Sequence, residues 1–211
     1  MNKDIYIHRK IEEILSTRLQ RFSAVALTGP RQSGKSTLLK NMFSDDYTVI
    51  SFDDPLARER AFSDPKLFME TAGEKVIFDE IQYAPKILSY IKILIDRYRG
   101  ERGKFILTGS QQFGLIKNIG DKLAGRVALL DLLPFSIEEK RFVPALADQL
   151  SSAEDCFAHS SLQGSFPEVN VHLDMDSTAW YGSYIQTYLE RDIRTIYNVG
   201  ILREFQQFLR L

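Results

Sequence analysis

Apolar side chains near the start of the chain recur at helical spacing. Between residues 5 and 22 they fall at Ile7, Ile11, Ile14, Leu15, Leu19 and Phe22, with Glu, Arg and Lys on the other face. That pattern predicts an amphipathic helix. The period then breaks. "SAVALTG" (23–29) is a continuous apolar run ending in glycine, as expected for a strand buried on both faces of a parallel sheet. "STLLKNMF" (36–43) predicts the next helix. Four more strand-like runs follow: "YTVISFD" (47–53), "KVIFDE" (75–80), "KFILTGS" (104–110) and "RVALLDLL" (126–133). Between "KVIFDE" and "KFILTGS" a helix is expected over 86–99, where Ile87, Leu88, Ile91, Leu94, Ile95 and Tyr98 form one stripe.

Strands alternating with helices imply βαβ crossovers, hence an α/β fold whose five-stranded parallel sheet is flanked by helices. Ligands of such sheets bind at the carboxyl ends of the strands. The loop after residue 29, Asp53, Asp54, Asp79, Glu80, Thr108 and Ser110 all fall there. Past residue 136 the strand-like runs stop. "FSIEEKRF", "PALADQLSSAEDCFAHSSL" and "STAWYGSYIQTYLERDIRTIYN" read as helical or irregular, with "GSFPEV" (164–169) as a turn. Tyr181, Tyr184, Ile185, Tyr188 and Leu189 have helical spacing, and packing is the preferred role for the tyrosines over base stacking. The final "ILREFQQFLRL" is an amphipathic pattern with Leu202, Phe205, Phe208 and Leu209 on one side. Nothing after it covers that face, so the chain reads as one cut short. The expected division is a core with an N-terminal helix (1–136), a helical lid-like segment (137–196) and the start of a further domain (197–211).

The chemistry concentrates in "LTGPRQSGKSTLL". It contains G-x-x-x-x-G-K-[ST] over Gly29, Pro30, Arg31, Gln32, Ser33, Gly34, Lys35 and Ser36, and Thr37 follows as a further residue of the loop's binding set. A strand precedes it and a helix follows, the context in which this pattern is a phosphate-binding loop. Gly29 and Gly34 let the backbone turn close to an anion. Peptide N–H groups and the helix dipole then favour negative charge. Lys35 adds a full positive charge at the β- and γ-phosphates, and Ser36 offers a hydroxyl to Mg2+. "VIFDE" (76–80) is an apolar strand ending in two acids. Asp79 is suited to hold Mg2+, through water or directly, and Glu80 to activate a water for attack on the γ-phosphate. Two solvated acids after an edge strand are the plainer alternative. Thr108 and Ser110 can present hydroxyls beside the loop to sense the γ-phosphate or position water, or one of them can simply satisfy a strand end. The acids of "FDDP" (52–55) have two options, pairing with Arg58 or Arg60 and facing the cleft; pairing is preferred.

Composition narrows the field. The chain has 211 residues, 44% hydrophobic and 26% charged, with a formal net charge of -1. Such a balance suits one globular domain with a piece of another, and it excludes a global basic field while leaving a local basic face open. The single cysteine, Cys156, excludes an intramolecular disulfide and any multi-cysteine metal site, and a buried hydrophobic role suits it. His8, His159 and His172 lack metal-ligand spacing. No run of ~18 apolar residues is present for a membrane span, and "MNKDIYIHRK" lacks an apolar signal core. A cytoplasmic protein is the natural expectation.

Taken in order, "LTGPRQSGKSTLL", "VIFDEIQ", "FILTGSQQ", "LAGRV" and "LLPFSIEE" resemble the AAA+-type ATPases of bacteria and archaea found with a DUF4143-type C-terminal region. "GSFPEV" and "YIQTYLERDI" resemble later landmarks of that family. The resemblance implies a P-loop NTPase fold with strand order 5-1-4-3-2, Walker motifs at 29–37 and 76–80, and a sensor at Ser110 or Thr108. It implies ATP as the nucleotide. It also implies a C-terminal continuation, a winged-helix-like segment and then a further domain, through which DNA or a protein partner would be met. "LREFQQFLRL" resembles the first helix of that continuation. Arg126 in "LAGR" matches an arginine of the family pattern. An arginine near the γ-phosphate neutralises transition-state charge, in cis or from a neighbouring subunit; a structural ion pair is the alternative. Arg31 poses the same choice. ATP hydrolysis to ADP and phosphate, coupled to a conformational change, leads the expectations. A nucleotide-gated interaction module with negligible turnover is the alternative from another class, and a small-molecule kinase is a third. No oligomer is implied.

Overall fold

All five expected strands form, and they pair into one parallel sheet. They are β1 (Ala24–Thr28), β2 (Thr48–Ser51), β3 (Val76–Asp79), β4 (Phe105–Gly109) and β5 (Val127–Asp131). The sheet order is β2-β3-β4-β1-β5, the expected order read from the other edge. The computed structural model describes residues 6–110, 119 and 122–189, apart from the side chains of 188 and 189. The "ERDIR" charge cluster (190–194) and the expected helix in 201–211 lie outside the described residues.

The period of two along each strand sorts the core onto two faces. Ala24, Ala26, Phe78, Phe105 and Leu107 pack on one side with Phe52, Phe68, Ile87, Leu88 and Ile91. Val25, Leu27, Ile77 and Ile106 pack on the other with Leu15, Leu19, Leu38 and Leu39. Helices α1 (Ile11–Arg21) and α2 (Lys35–Phe43) therefore cover one face, while α3 (Pro55–Ser63), α4 (Pro65–Thr71) and α5 (Ile87–Arg97) cover the other. β1 and β4 are buried along their whole length.

Two departures from the periodicity have clear causes. The first helix starts at Ile11 rather than near residue 5. Ile7 is drawn instead into a third cluster, with Phe135, Val143, Leu146, Leu150 and Cys156. Helices α3 and α4 lack a strong apolar stripe and are announced by their caps. Each begins with aspartate followed by proline at the first helical position, a favourable start for a helix. The Asp54 side chain accepts from the Leu56 N–H at 2.9 Å, and that of Asp64 from the Leu67 N–H at 3.0 Å. Asp54 is thus a cap. Arg58 donates to the Asp53 carbonyl rather than to its carboxylate.

Beyond the sheet come α6 (Ile137–Lys140), α7 (Ala153–Gln163), α8 (Pro167–Val171) and α9 (Ser177–Tyr184), the last running on as a π-helical turn over Ile185–Leu189. Capping boxes at Ser136/Glu139 and Ser152/Asp155 start α6 and α7. Arg9 joins this region to the sheet. It donates from Nη1 to the Ser33 carbonyl at 2.9 Å and from Nη2 to the Leu133 carbonyl at 2.7 Å. Its Nε lies 3.1 Å from Glu139 Oε1, with both side chains buried, and its guanidinium sits 4.9 Å above the Phe135 ring. Glu139 also accepts from the Lys10 and Ser136 N–H groups.

Removing one partner of a buried ion pair leaves the other charge uncompensated, so Arg9→Ala is expected to cost about 3–5 kcal/mol. Urea unfolding of the variant beside the parent chain measures this; a loss well under 1 kcal/mol would show that Arg9 does not tie these segments together.

Candidate functional site

The site forms where β1, β3 and β4 end. β1 runs into Gly29, whose φ is 146°. A Cβ there would overlap the Leu132 carbonyl oxygen, on the strand-end segment beside it, so only glycine fits. The loop turns through Gln32 (φ 61°) and Gly34 (φ 93°) and enters α2 at Lys35. No side chain caps the N-terminus of α2, nor those of α1, α5 and α8, whereas side-chain oxygens cap α3, α4, α6, α7 and α9. The first N–H groups of α2 are therefore left for an external acceptor, and the helix dipole makes an anion the favoured one.

Lys35 is buried at 5% exposure. Its ammonium donates to the carbonyls of Gly29 at 3.0 Å and Pro30 at 2.9 Å. Burial holds its pKa below the ordinary lysine value, while Glu80 and Asp79 oppose that shift through their charge. A positive charge is thus kept in a partly dehydrated loop with two carboxylates acting on it.

The acids sit where the register brings β3 beside β4. The Ser36 hydroxyl lies 3.3 and 3.2 Å from the two Asp79 carboxylate oxygens and donates to them. Thr108, almost fully buried, donates its hydroxyl to Asp79 Oδ1 and accepts from the Glu80 N–H at 3.3 Å. Glu80 adopts the left-handed conformation (φ 55°, ψ 46°). Such a backbone is strained for a non-glycine residue and persists only where its surroundings hold it. The Thr108 hydroxyl holds its N–H, and the Gln82 side-chain amide donates to its carboxylate. Ser110 is buried, and its hydroxyl has no hydrogen-bond partner among the described residues; the same is true of Ser33.

The structure therefore gathers residues 29–37, Asp79, Glu80, Thr108 and Ser110 at one sheet edge. Arg126 is elsewhere. It immediately precedes β5, at the amino end of the sheet, and β5's five residues span about 16 Å at ~3.3 Å each. Its Nε and Nη2 bind Asp96 at 2.7 and 3.2 Å, so within its own chain Arg126 makes an ion pair and does not reach the loop. Arg31 donates to the Tyr83 hydroxyl at 3.2 Å, and its carbonyl accepts from the Tyr184 hydroxyl at 3.3 Å. Tyr184 belongs to an aromatic block in which Trp180 stacks on it at 5.3 Å and Phe166 lies 4.9 Å away. Tyr181 and Tyr184 are packing residues, and Tyr184 reaches the phosphate loop's own backbone; the Tyr188 side chain lies outside the described residues.

Sequence reasoning missed Arg9, Gln82 and Asp131. Gln82 had a signal, an amide two residues past the acid pair. Asp131 accepts from the Thr28 hydroxyl across the β1–β5 register, which only strand pairing reveals. No group of three or more His, Cys, Asp or Glu side chains among the described residues is arranged to hold a metal ion. Nor is any helix among them long and apolar enough to cross a membrane.

With this geometry in hand, the chain can be compared with known proteins. The AAA domain family (AAA_14) matches residues 21–140. Residues 155–211 match a domain of unknown function, DUF8612; the DUF4143-type region implied by the resemblance is not what this stretch matches. The chain is 32% identical over 182 residues to "Uncharacterized protein Rv2008c" of Mycobacterium tuberculosis and to "Uncharacterized protein Mb2031c" of Mycobacterium bovis. That match covers 85% of this chain and 38% of either relative, so the chain spans well under half of their length. In fold it is similar to the Walker-type ATPase paby2304 of Pyrococcus abyssi, at TM-score 0.54 and 18% identity, over 99% of this chain and 77% of that one.

Because a methyl group at position 29 would overlap backbone at a positive φ, Gly29→Ala is expected to cost at least about 2 kcal/mol of stability. Gly100 also has a positive φ but open space around it, so Gly100→Ala isolates the backbone strain. Equal urea midpoints for the two variants would contradict the close approach.

Proposed function

The chain belongs to the AAA domain family, and from that premise we propose that it binds ATP with Mg2+ and hydrolyses it to ADP and phosphate to drive a conformational change. The observation that carries this reading is the clamp on the acid pair. Thr108 fixes both the Asp79 carboxylate and the Glu80 peptide, and Ser36 of the loop reaches the same carboxylate.

The residues present fit the ligands. An uncapped helix start and a buried ammonium suit a triphosphate. Ser36 and Asp79 offer only oxygen, the donor set of a hard divalent cation. When bound at Ser36 and Asp79, Mg2+ would supply positive charge against that developing on the phosphates. The N–H groups of α2 and the loop bind phosphate oxygens, and Lys35 turns its ammonium from the Gly29 and Pro30 carbonyls toward them. Glu80 accepts a proton from the attacking water, held in line by the Gln82 amide and by its own constrained backbone. The Ser110 hydroxyl, without an internal partner among the described residues, is suited to contact the γ-phosphate. An arginine acting on that phosphate would be Arg31 in cis or Arg126 from a neighbouring copy.

We further read residues 1–136 as the ATPase core, 137–196 as a lid-like segment and 197–211 as the start of a winged-helix-like domain. The Tyr184–Arg31 bond supports coupling between loop and lid. DNA or a protein partner would be met beyond this chain, and we place the protein in the cytoplasm.

Lys35→Ala is expected to abolish ATP binding, measured by titration with a fluorescent ATP analogue; unchanged affinity would sink the assignment of the loop. Glu80→Gln is expected to keep binding and to slow phosphate release about 10²–10⁴-fold. Phosphate release by the parent chain without any acceptor separates hydrolysis from kinase chemistry, and none at all favours a gate without turnover.

A further inference from the structure

At the edge of the sheet opposite the phosphate loop lies an open cleft of ≈ 410 Å³. Its walls carry four guanidinium groups, Arg21, Arg99, Arg102 and Arg126, against one carboxylate, Asp96. Its floor lies at the starts of three neighbouring strands. Ser23 precedes β1, Arg102 leads into β4 and Arg126 leads into β5. Arg21 ends α1, and Arg99 follows α5.

The charge is not cancelled where it stands. Asp96 is engaged by Arg126, and its pKa is held low first by that hydrogen bond, with Arg99 and Lys92 adding to the field. The nearby Glu101 is paired with Lys104. Among the described residues Arg102 reaches neutral oxygens, the Ser23 hydroxyl and the Glu101 carbonyl, each at 3.4 Å. Arg21 and Arg99 are exposed, with no hydrogen bond or ion pair among the described residues. A cation at a helix C-terminus offsets the dipole, which accounts for Arg21; Arg102 and Arg126 come from loops before strands. In a chain of formal net charge -1, this is a local concentration of positive charge of the kind that recruits anions. Guanidinium forks match phosphate oxygens in bidentate geometry, more closely than an ammonium does.

We propose that this cleft is a second anion site, which takes a phosphoryl group from a ligand other than the loop's nucleotide. The same chemistry has two sources, a free polyphosphate and the backbone of a nucleic acid strand. Spare guanidinium groups, rather than a stacking platform, would make the contacts, so recognition is of charge and not of base sequence.

The test uses the Lys35→Ala chain, in which the loop is silenced, and the native chain saturated with a non-hydrolysable ATP analogue as a second measurement. Each is titrated with inorganic tripolyphosphate by calorimetry and with a fluorescent single strand of about 20 nucleotides by anisotropy. At least one probe is expected to bind, and the pair Arg21→Gln/Arg99→Gln is expected to weaken it roughly tenfold or more. Both residues are exposed, so the pair should stay folded, losing at most the small helix-end contribution of Arg21. For the strand, the log K against log salt slope should fall by about 0.7 for each phosphate that an arginine no longer neutralises. Tripolyphosphate binding alone assigns a free phosphate ligand, and strand binding with that slope assigns a nucleic acid. Binding of neither probe, or equal binding by the Arg pair variant and its parent, overturns the proposal. Phosphate release from ATP enters none of these readouts, so a chain that proves inactive at the loop leaves the test intact.

Discussion

Parallel pairing of all five strands governs this molecule. Parallel strands leave every carboxyl end on the same edge, and crossover helices must return the chain to the other edge each time. Thr28 and Gly29, Asp79 and Glu80, and Thr108 and Ser110 are thus brought together although long stretches of chain separate them. The apolar interiors of β1, β3 and β4 make this arrangement stable and leave their polar ends nowhere else to go. A hydroxyl or carboxylate one step past an apolar strand emerges at that edge.

Once there, the groups satisfy one another. The Ser36 hydroxyl, the Asp79 carboxylate, the Thr108 hydroxyl and the Glu80 peptide form one connected set. Such a network pre-positions acids that would otherwise repel each other beside a buried ammonium. The strained backbone at Glu80 belongs to the same arrangement, since the Thr108 contact and the Gln82 amide are what hold it. The opposite edge has a different character. The loops that start β4 and β5 carry Arg102 and Arg126 there, with Asp96 the one carboxylate lining the cleft.

Among the described residues, two side chains fasten the region after the sheet to the phosphate loop. Arg9 bridges the Ser33 carbonyl and Glu139 of α6, and Tyr184 of α9 bonds the Arg31 carbonyl. Both contacts fall on the backbone of the loop itself. The loop backbone and these helices are therefore joined through single side chains, Arg9 and Tyr184.

Much of this was legible in the residues. Apolar runs marked the five strands; in β1, β3 and β4 burial on both faces demands them, whereas β2 and β5 are edge strands that leave Val49 and Leu129 exposed. The G-x-x-x-x-G-K-[ST] spacing marked the loop, because glycine suits the positive φ at positions 29 and 34 and only glycine tolerates the close approach of position 29 to Leu132. The acid pair ending "VIFDE" marked the partner of that loop. Other features depended on where distant segments meet. Arg9 sits in what the periodicity reads as the polar face of a helix, and only packing shows it buried between the loop and α6. Arg126 is adjacent in sequence to a strand of the sheet, yet it lies at the amino end of that strand rather than the carboxyl end. Local pattern records burial and turn geometry, which are properties of short stretches. Which long-range partner a charged side chain finds is decided by strand order and direction, and those exist only once the sheet has formed.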